Sequence, residues 1–590
     1  MAVRSVAESF YPALKVYRSS WAGFFAVGFF SIFVNLGTLI SPLYMQQIFD
    51  RVMQSGHLET LVFLTVLVIF FLAVIGVLDA IRGSILATIA KWWDETVHAD
   101  LLHAIIQTAR STGNSYSHAM NDLGTIRQFV GSSAVLPFFD GPWVPFFIGA
   151  IVLIHPALGV IAVAAGVMLL VIAGINDVVT RRRMEGAAAA RVRAQQTIDI
   201  ASQHSESVYS MGMIPGVMAR FRADNEIVAD STYGVASFSA KTTALSKFVR
   251  FAAQIGVLGL GAFYATQGEI TPGGMIAASI IMGRALAPAE QAIGAWRGLV
   301  GAVHAHGRLT NLFLKAPLLF EKTKQPEPSG RLQLRSVNLL VPNHEKPLLR
   351  NVTVDIQPAT LNAIVGPSGS GKSTLCKLLI GAMDPSSGSV RLDGVAMRNW
   401  ELQQLGQSVG YLAQSVELLH GTVKENIARM GLPDDDKVIA AAQLAGCHDM
   451  INGLPNGYET LIGPGGLRLS GGQAQRVGLA RAIYGLPRLI ILDEPNANLD
   501  AEGEASLQEC LVVLRDLGCT VIIVSHRPSA LSKVDLIITL SEGAIQKTQT
   551  GEEFMKNAIR PVSDILQKIG EMQSKRQPSS SVSEAGGESR

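Results

Sequence analysis

Runs of about twenty apolar residues, the length a helix needs to cross the hydrocarbon core of a bilayer, recur before Gly301 and constrain this chain more than anything else in it. They cover Trp21–Tyr44, Leu61–Ile81, Ser133–Ile154, Ala157–Val178, Phe248–Ala265 and Gly274–Pro288, the last one short and interrupted by Arg284 and Pro288. Charged residues make up only 16% of the chain and mean hydropathy is +0.30, against about 25% charged in soluble domains. A net charge of +2 leaves no general electrostatic footprint for nucleic acid. With 590 residues, at least two domains are expected. Met1–Ser20 is mixed and polar, with no cleavable secretion signal.

The connections between the runs alternate in length. Met45–Glu59, His155–Pro156 and Thr266–Gly273 are short, whereas Arg82–Gly131 and Thr180–Lys247 are long and helix-compatible in composition. The long connections carry Lys91, Arg181–Arg183, Arg191, Arg193, Arg220, Arg222 and Lys241, while Arg51 is the only Lys or Arg in the short ones. That asymmetry sets the long connections and both termini on the cytoplasmic side. Long helical connections there are expected to act as rods, with Ser117–Phe129 and Tyr209–Phe221 as turning points. Asp140 and Arg284 are read as ionisable groups within the apolar runs. Each either faces an interior pathway or sits at a helix end, Asp140 beside the bend that Pro142 and Pro145 impose.

The second half has a different texture. After a polar, Pro-rich stretch at Lys322–Gly330, apolar β-prone runs alternate with helical segments, an α/β pattern. Leu361–Val365 reads as a strand running into GPSGSGKST at Gly366–Thr374, which opens a helix over Thr374–Ile380. Gly366, Gly369 and Gly371 let consecutive backbone N–H groups curl toward phosphates, together with Pro367, Ser368, Ser370 and Thr374 of the same loop. Lys372 is placed to reach the β- and γ-phosphates and the Ser373 hydroxyl to ligate Mg²⁺. Leu489–Leu492 is a buried strand delivering Asp493 to the metal and Glu494 to the attacking water. LSGGQ at Leu469–Gln473 precedes a helical run, so Ser470, Gly471 and Gly472 form a second helix N-terminus fit for an anion. Cys376, Cys447, Cys510 and Cys519 lack metal-type spacing and read as buried free thiols.

With Gln414 before these motifs and His526 after them, the ordered set resembles the ABC transporter superfamily, specifically an exporter half-transporter. The resemblance implies a membrane all-α six-helix transmembrane domain with long cytoplasmic helical loops, fused to an α/β P-loop ABC ATPase domain. Expected boundaries are 1–320 for the membrane domain, 321–330 for a linker, 331–565 for the ATPase domain and 566–590 for a disordered tail. The family pattern makes Gln414 a metal- and water-sensing glutamine, Ser470–Gln473 the signature that meets the other subunit's ATP, and Asp493 the magnesium carboxylate. It makes Glu494 the catalytic base, Asp500 the residue signalling between the two sites, and His526 the γ-phosphate contact. ATP and Mg²⁺ are the implied cofactors, and a homodimer within membrane lipid is the implied assembly. Two positions depart from the pattern: Leu332–Val365 holds no aromatic to stack on adenine, leaving Val341 or a neighbour to pack there. Pro464 also stands where an acidic residue is usual before the signature.

Three strings of the apolar half are more specific. PLYMQQIFDRVMQSG at Pro42–Gly56, FDGPWVPFF at Phe139–Phe147 and GRALAPAEQAIGAW at Gly283–Trp296 resemble the type I secretion subgroup that exports proteases, lipases and RTX-type proteins. That resemblance implies ATP-driven export of an unfolded polypeptide with an uncleaved C-terminal signal across the inner membrane. A periplasmic adaptor and an outer-membrane channel are the implied partners. No peptidase-like extension precedes the first run, so the chain is not expected to clip a leader from its cargo. The alternative is an exporter of lipid or another amphiphile with the same architecture. A nutrient importer and a DNA- or ribosome-directed ATPase fit the fused apolar half poorly.

Overall fold

The computed structural model describes residues 19–112, 116, 118–316, 322–341, 346–463, 465–525, 527–531 and 533–558. The chain divides into two compact units, Met1–Phe320 and Glu321–Arg590.

The first unit is helical throughout its described residues. Its main helices are α1 (Trp21–Gly37), α2 (Ile40–Gln47), α3 (Leu58–Thr112), α4 (His118–Val130), α5 (Val144–Ile154), α6 (Pro156–Gln203), α7 (Ile214–Thr266) and α8 (Pro272–Lys315). All six apolar runs fall on helix, and five segments are long and apolar enough to cross a membrane by length and composition. The sixth, on α8, is not among these five, and packing explains its composition. Ala278, Ile281, Met282, Ala285, Leu286 and Ile293 of α8 are buried against α5, α6 and α7, while Ala305, Leu309, Leu312 and Phe313 pack with α3 and α4. A helix enclosed by its neighbours is built of small residues rather than lipid-facing ones.

The long connections are continuations of the crossing helices. At 55 residues, α3 is roughly 80 Å long, against a hydrocarbon core of about 30 Å. The first expected turning point is corrected: His118–Val130 is helix α4, packed on α8 through Asp122, whose carboxylate takes Arg308 Nη2 at 2.6 Å and Nε at 2.9 Å. Ser117 lies outside the described residues. Of the second expected turning point, Tyr209–Phe221, only Met211–Met213 is a turn, since helix α7 has begun at Ile214; Tyr209 and Met211 are exposed.

Each of the three distinctive strings contains a polar tie between helices. Asp50, on a π-helical turn at Ile48–Val52, accepts from Thr271 Oγ1 at 2.7 Å and Gly273 N at 2.8 Å, capping α8. A Cβ at Gly273 would stand 2.6 Å from Asp50 Oδ1 and from Gln46 O, so only glycine fits there. Asp140 ends the short helix Leu136–Asp140 beside the Pro142 bend, where Arg82 Nη1 and Asn35 Nδ2 donate to its Oδ1 at 2.8 and 2.7 Å. Arg82 is buried and also holds Ser31 and Asp79. Glu290 takes Arg250 at 2.7 Å and Trp296 Nε1 donates to Asp177 at 2.8 Å; Arg250 and Asp177 are ionisable groups within the runs that sequence reading passed over. Arg284 lies on the exposed side of α8.

The second unit is α/β. The strands of its two larger sheets are β1 (Leu332–Leu339), β2 (Leu349–Ile356), β3 (Leu361–Val365), β4 (Ser387–Leu392), β5 (Val395–Ala396), β6 (Val409–Leu412), β7 (Leu489–Asp493), β8 (Thr520–Val524), β9 (Leu536–Ser541) and β10 (Ala544–Thr550). A four-stranded antiparallel sheet runs β2-β1-β4-β5, and a six-stranded sheet runs β10-β9-β3-β8-β7-β6, parallel except for the β10 edge. Alternate residues of β3, β7 and β8 enter opposite cores. Ala363, Ile490, Leu492 and Ile523 face one core, and Ile364, Leu489, Ile491 and Ile522 face the other. Both faces are covered, as continuous apolar strands require.

Candidate functional site

Parallel strands present their chemistry at their C-terminal ends. In this sheet β3, β8 and β7 are neighbours, with Val524 opposite both Ile364 and Asp493. The phosphate loop after β3, the segment after β8 and the carboxylates ending β7 therefore share one edge. β6 lies beside β7 with Leu412 opposite Leu492, which carries Gln414 to the same edge.

The loop Gly366–Thr374 needs its glycines for two reasons. Gly369 and Gly371 have φ of +78° and +98°, a region L side chains avoid. Gly366 is excluded from bearing a side chain by close approach, since a Cβ would lie 2.0 Å from Leu540 O. Pro367, Ser368 and Gly369 are exposed at the crest, while Ser370 is buried, its Oγ without a hydrogen-bond partner among the described residues. Lys372 opens helix α9 (Lys372–Leu379), with Ser373 and Thr374 next in its first turn. Its buried Nζ donates to Gly366 O at 2.8 Å and Pro367 O at 2.9 Å, which holds the ammonium over the loop.

Asp493 is buried at the end of β7. Burial pushes its carboxyl above the ordinary value, opposed by the Ser373 hydroxyl bonded to it. Its Oδ1 is buried with no hydrogen-bond partner among the described residues. Glu494 sits at φ +51°, an uncommon conformation for a residue with a side chain. Its N–H donates to Val524 O at 3.0 Å, and Gln414 Nε2 donates to its Oε2 at 3.1 Å. Beneath the site, burial pushes the Tyr411 phenol up to about 12. All four cysteines are buried and free, and burial raises each thiol, those of Cys447 and Cys510 to about 12.

The signature turn is a helix start. Ser470 caps helix α10 (Gly471–Ile483) in a capping box: its Oγ accepts from Gln473 N at 3.3 Å and Gln473 Oε1 accepts from Ser470 N at 2.9 Å. Ser470 and Gly471 are exposed, and a Cβ at Gly472 would stand 2.9 Å from Asn498 O. Asp500 caps helix α11 (Ala501–Asp516), accepting from Gly503 N at 2.9 Å and from Arg476 Nη2 at 2.8 Å. The Gly503 N–H and the Arg476 charge hold its carboxyl below the ordinary value. Two contributors were not expected from sequence, Gln475 and Arg476, whose partners lie across the fold. The helical pattern after LSGGQ showed that they share α10 but not what they meet.

His526 and Pro464 lie outside the described residues. Next to His526, Ser525 is buried and its Oγ accepts from Arg527 N at 3.2 Å. Val341 is half-buried after β1, and the four residues following it are outside the described residues. Among the described residues no cluster of three or more His, Cys, Asp or Glu could hold a metal.

Comparison with known proteins places these features in context. A family model described as "ABC transporter" matches residues 349–497, and one described as "ABC transporter transmembrane region" matches residues 24–286. The type I secretion system ATP-binding protein PrsD of Rhizobium meliloti is 37% identical over 548 residues, 92% of this chain and 94% of that one. The leukotoxin export ATP-binding protein LtxB of Aggregatibacter actinomycetemcomitans is 28% identical over 93% of this chain and 78% of its own length. A bacterial Atm1-family ABC exporter solved with ATP bound shares the fold, with a TM-score of 0.77 at 18% identity, covering 95% of this chain and 99% of that one.

Proposed function

The chain belongs to the ABC transporter family, a membrane-spanning region and an ATPase in one polypeptide, and from that premise we propose that it is the inner-membrane permease of a type I secretion system. It is an ATP-hydrolysing transporter, and its cargo in this reading is an unfolded polypeptide carrying a C-terminal signal. The observation that carries the reading is the extent of likeness to PrsD, 37% along 92% of the chain. That likeness takes in the membrane half, where motor motifs alone would be silent on cargo.

The site residues divide the work as follows. The Gly366–Thr374 backbone and the Lys372 ammonium hold the β- and γ-phosphates, and the Glu494 carboxylate, oriented by Gln414, takes a proton from the attacking water. His526 is assigned to the γ-phosphate by its place in the motif order. Ser373, Asp493 and Gln414 are suited to Mg²⁺: the buried, unpartnered Asp493 Oδ1 is a hard oxygen in a desolvated setting, and Mg²⁺ typically takes one or two carboxylates plus phosphate oxygens. Bound there, Mg²⁺ would neutralise negative charge on the phosphate oxygens.

The exposed signature turn, Ser470–Gln473, supports pairing of two copies, each turn closing over ATP held by the other's phosphate loop, with Asp500 at the seam. In this reading the ATPase unit, both termini and the basic helical extensions are cytoplasmic. A periplasmic adaptor and an outer-membrane channel continue the conduit outward, and membrane lipid surrounds the helices. Purified protein in lipid vesicles tests the cargo class. ATPase activity is expected to rise with C-terminal peptides of proteins secreted by the parent organism and to be indifferent to added lipid. Stimulation by lipid and none by any such peptide would contradict it.

A further inference from the structure

Gln475 and Arg476 stand side by side on α10 and grip two different parts of the catalytic edge. Gln475 is buried, and its Nε2 donates to Pro495 O at 3.2 Å and lies 3.4 Å from Glu494 O. Those carbonyls belong to the turn that keeps Glu494 at φ +51°, a conformation that persists only where its surroundings enforce it. Arg476 holds Asp500 at 2.8 Å, and Asp500 in turn fixes the first turn of α11 through Gly503. The three elements enclose a cavity of about 10 Å³ lined by Gln475, Arg476, Pro495, Leu499 and Gly503 among others, room for about one water. That cavity is too small to absorb a shift of α10, so such a shift moves what the helix grips. The same helix starts at Ser470, and its capping box makes the exposed signature turn part of the rigid first turn. Gln475 follows Ser470 by five positions, about 7.5 Å along a helix axis.

We infer that Gln475 and Arg476 are positioning residues that relay the state of the signature turn to Glu494 and Asp500 of the same chain. A phosphate held by the second copy against Ser470 thereby sets the geometry of this copy's own water-activating carboxylate. The inference rests on the paired reading given above and names the connection that would couple the two sites.

The test uses the full chain in lipid. Gln475→Met keeps side-chain length and helix tolerance but removes the donor. Its kcat is expected to fall at least about ten-fold, since small misplacements of a reacting group are costly. KM for ATP should stay within about two-fold, the mark of an interaction made in the transition state. Arg476→Met should behave alike and Arg476→Lys should recover most of the loss, while ATP-dependent pairing of copies survives in all three. A merely structural role would lower the amount of folded enzyme without splitting kcat from KM. Folded, pairing-competent Gln475→Met and Arg476→Met with wild-type kcat overturn the inference and leave the paired reading standing. Should Gln475→Met not fold, an unchanged kcat in Arg476→Met overturns it alone. A wild-type chain that never pairs with ATP, together with normal turnover in Ser470→Arg, removes the paired reading and this inference with it.

Discussion

Asp493 ends a buried strand with Ser373 bonded to its carboxylate and its Oδ1 unpartnered among the described residues. Burial raises its pKa above the ordinary 3.8, the Ser373 hydroxyl opposes this, and Glu494 beside it adds to the rise. A raised value in the folded state means the fold binds this proton more tightly than the unfolded chain does. The group therefore favours folding below the unfolded pKa, and that contribution is lost as pH rises through the folded value. At neutral pH its charge is a cost that a divalent cation would offset. Asp493→Asn is accordingly expected to raise the nucleotide-free Tm at pH 7 while abolishing Mg²⁺-dependent ATP hydrolysis. Thermal unfolding with and without Mg²⁺-ATP checks this; a Tm at or below wild type without nucleotide would contradict it. The Asp493–Glu494 pair was legible because four apolar residues precede it. The left-handed turn at Glu494 was not, since the carbonyl of Val524 and the side-chain amide of Gln475 that frame it come from distant elements.

Among elements, the phosphate loop was readable because strand, glycine turn and helix follow one another locally over Leu361–Leu379. Each of the six apolar runs falls on helix, yet α8 reads weakly in hydropathy because small residues pack its buried face against neighbouring helices. The interhelical ties were hidden for the same reason: periodicity places Arg82 on a helix but does not reveal Asp140 fifty-eight residues on. Removing one member of such a buried pair leaves the other uncompensated, at a cost of about 3–5 kcal/mol. Arg82→Met should therefore lower thermal stability in detergent sharply, and adding Asp140→Asn should recover much of it. A double variant no more stable than Arg82→Met would show that the pair is not what joins α1, α3 and the Leu136–Asp140 helix.

For the molecule as a whole, an exposed signature turn on a chain that carries every other motif argues for sites completed by a second copy. Two dead variants distinguish this from sites built within one chain. Lys372→Ala removes the phosphate-loop ammonium and Ser470→Arg blocks the signature turn. A mixed pair of these two variants retains one intact site, formed by the loop of the Ser470→Arg copy and the signature of the Lys372→Ala copy. ATP retention is expected in mixed pairs and in neither variant alone; retention absent from the mixture would contradict it. Polypeptide export is tested most directly by the proteins found in the culture medium of cells from which this chain has been deleted. The account predicts that at least one protein disappears from the medium and accumulates inside, that the wild-type chain restores it, and that Glu494→Gln, equally abundant in the membrane, does not. A medium unchanged by deletion, or export restored in full by Glu494→Gln, would contradict it.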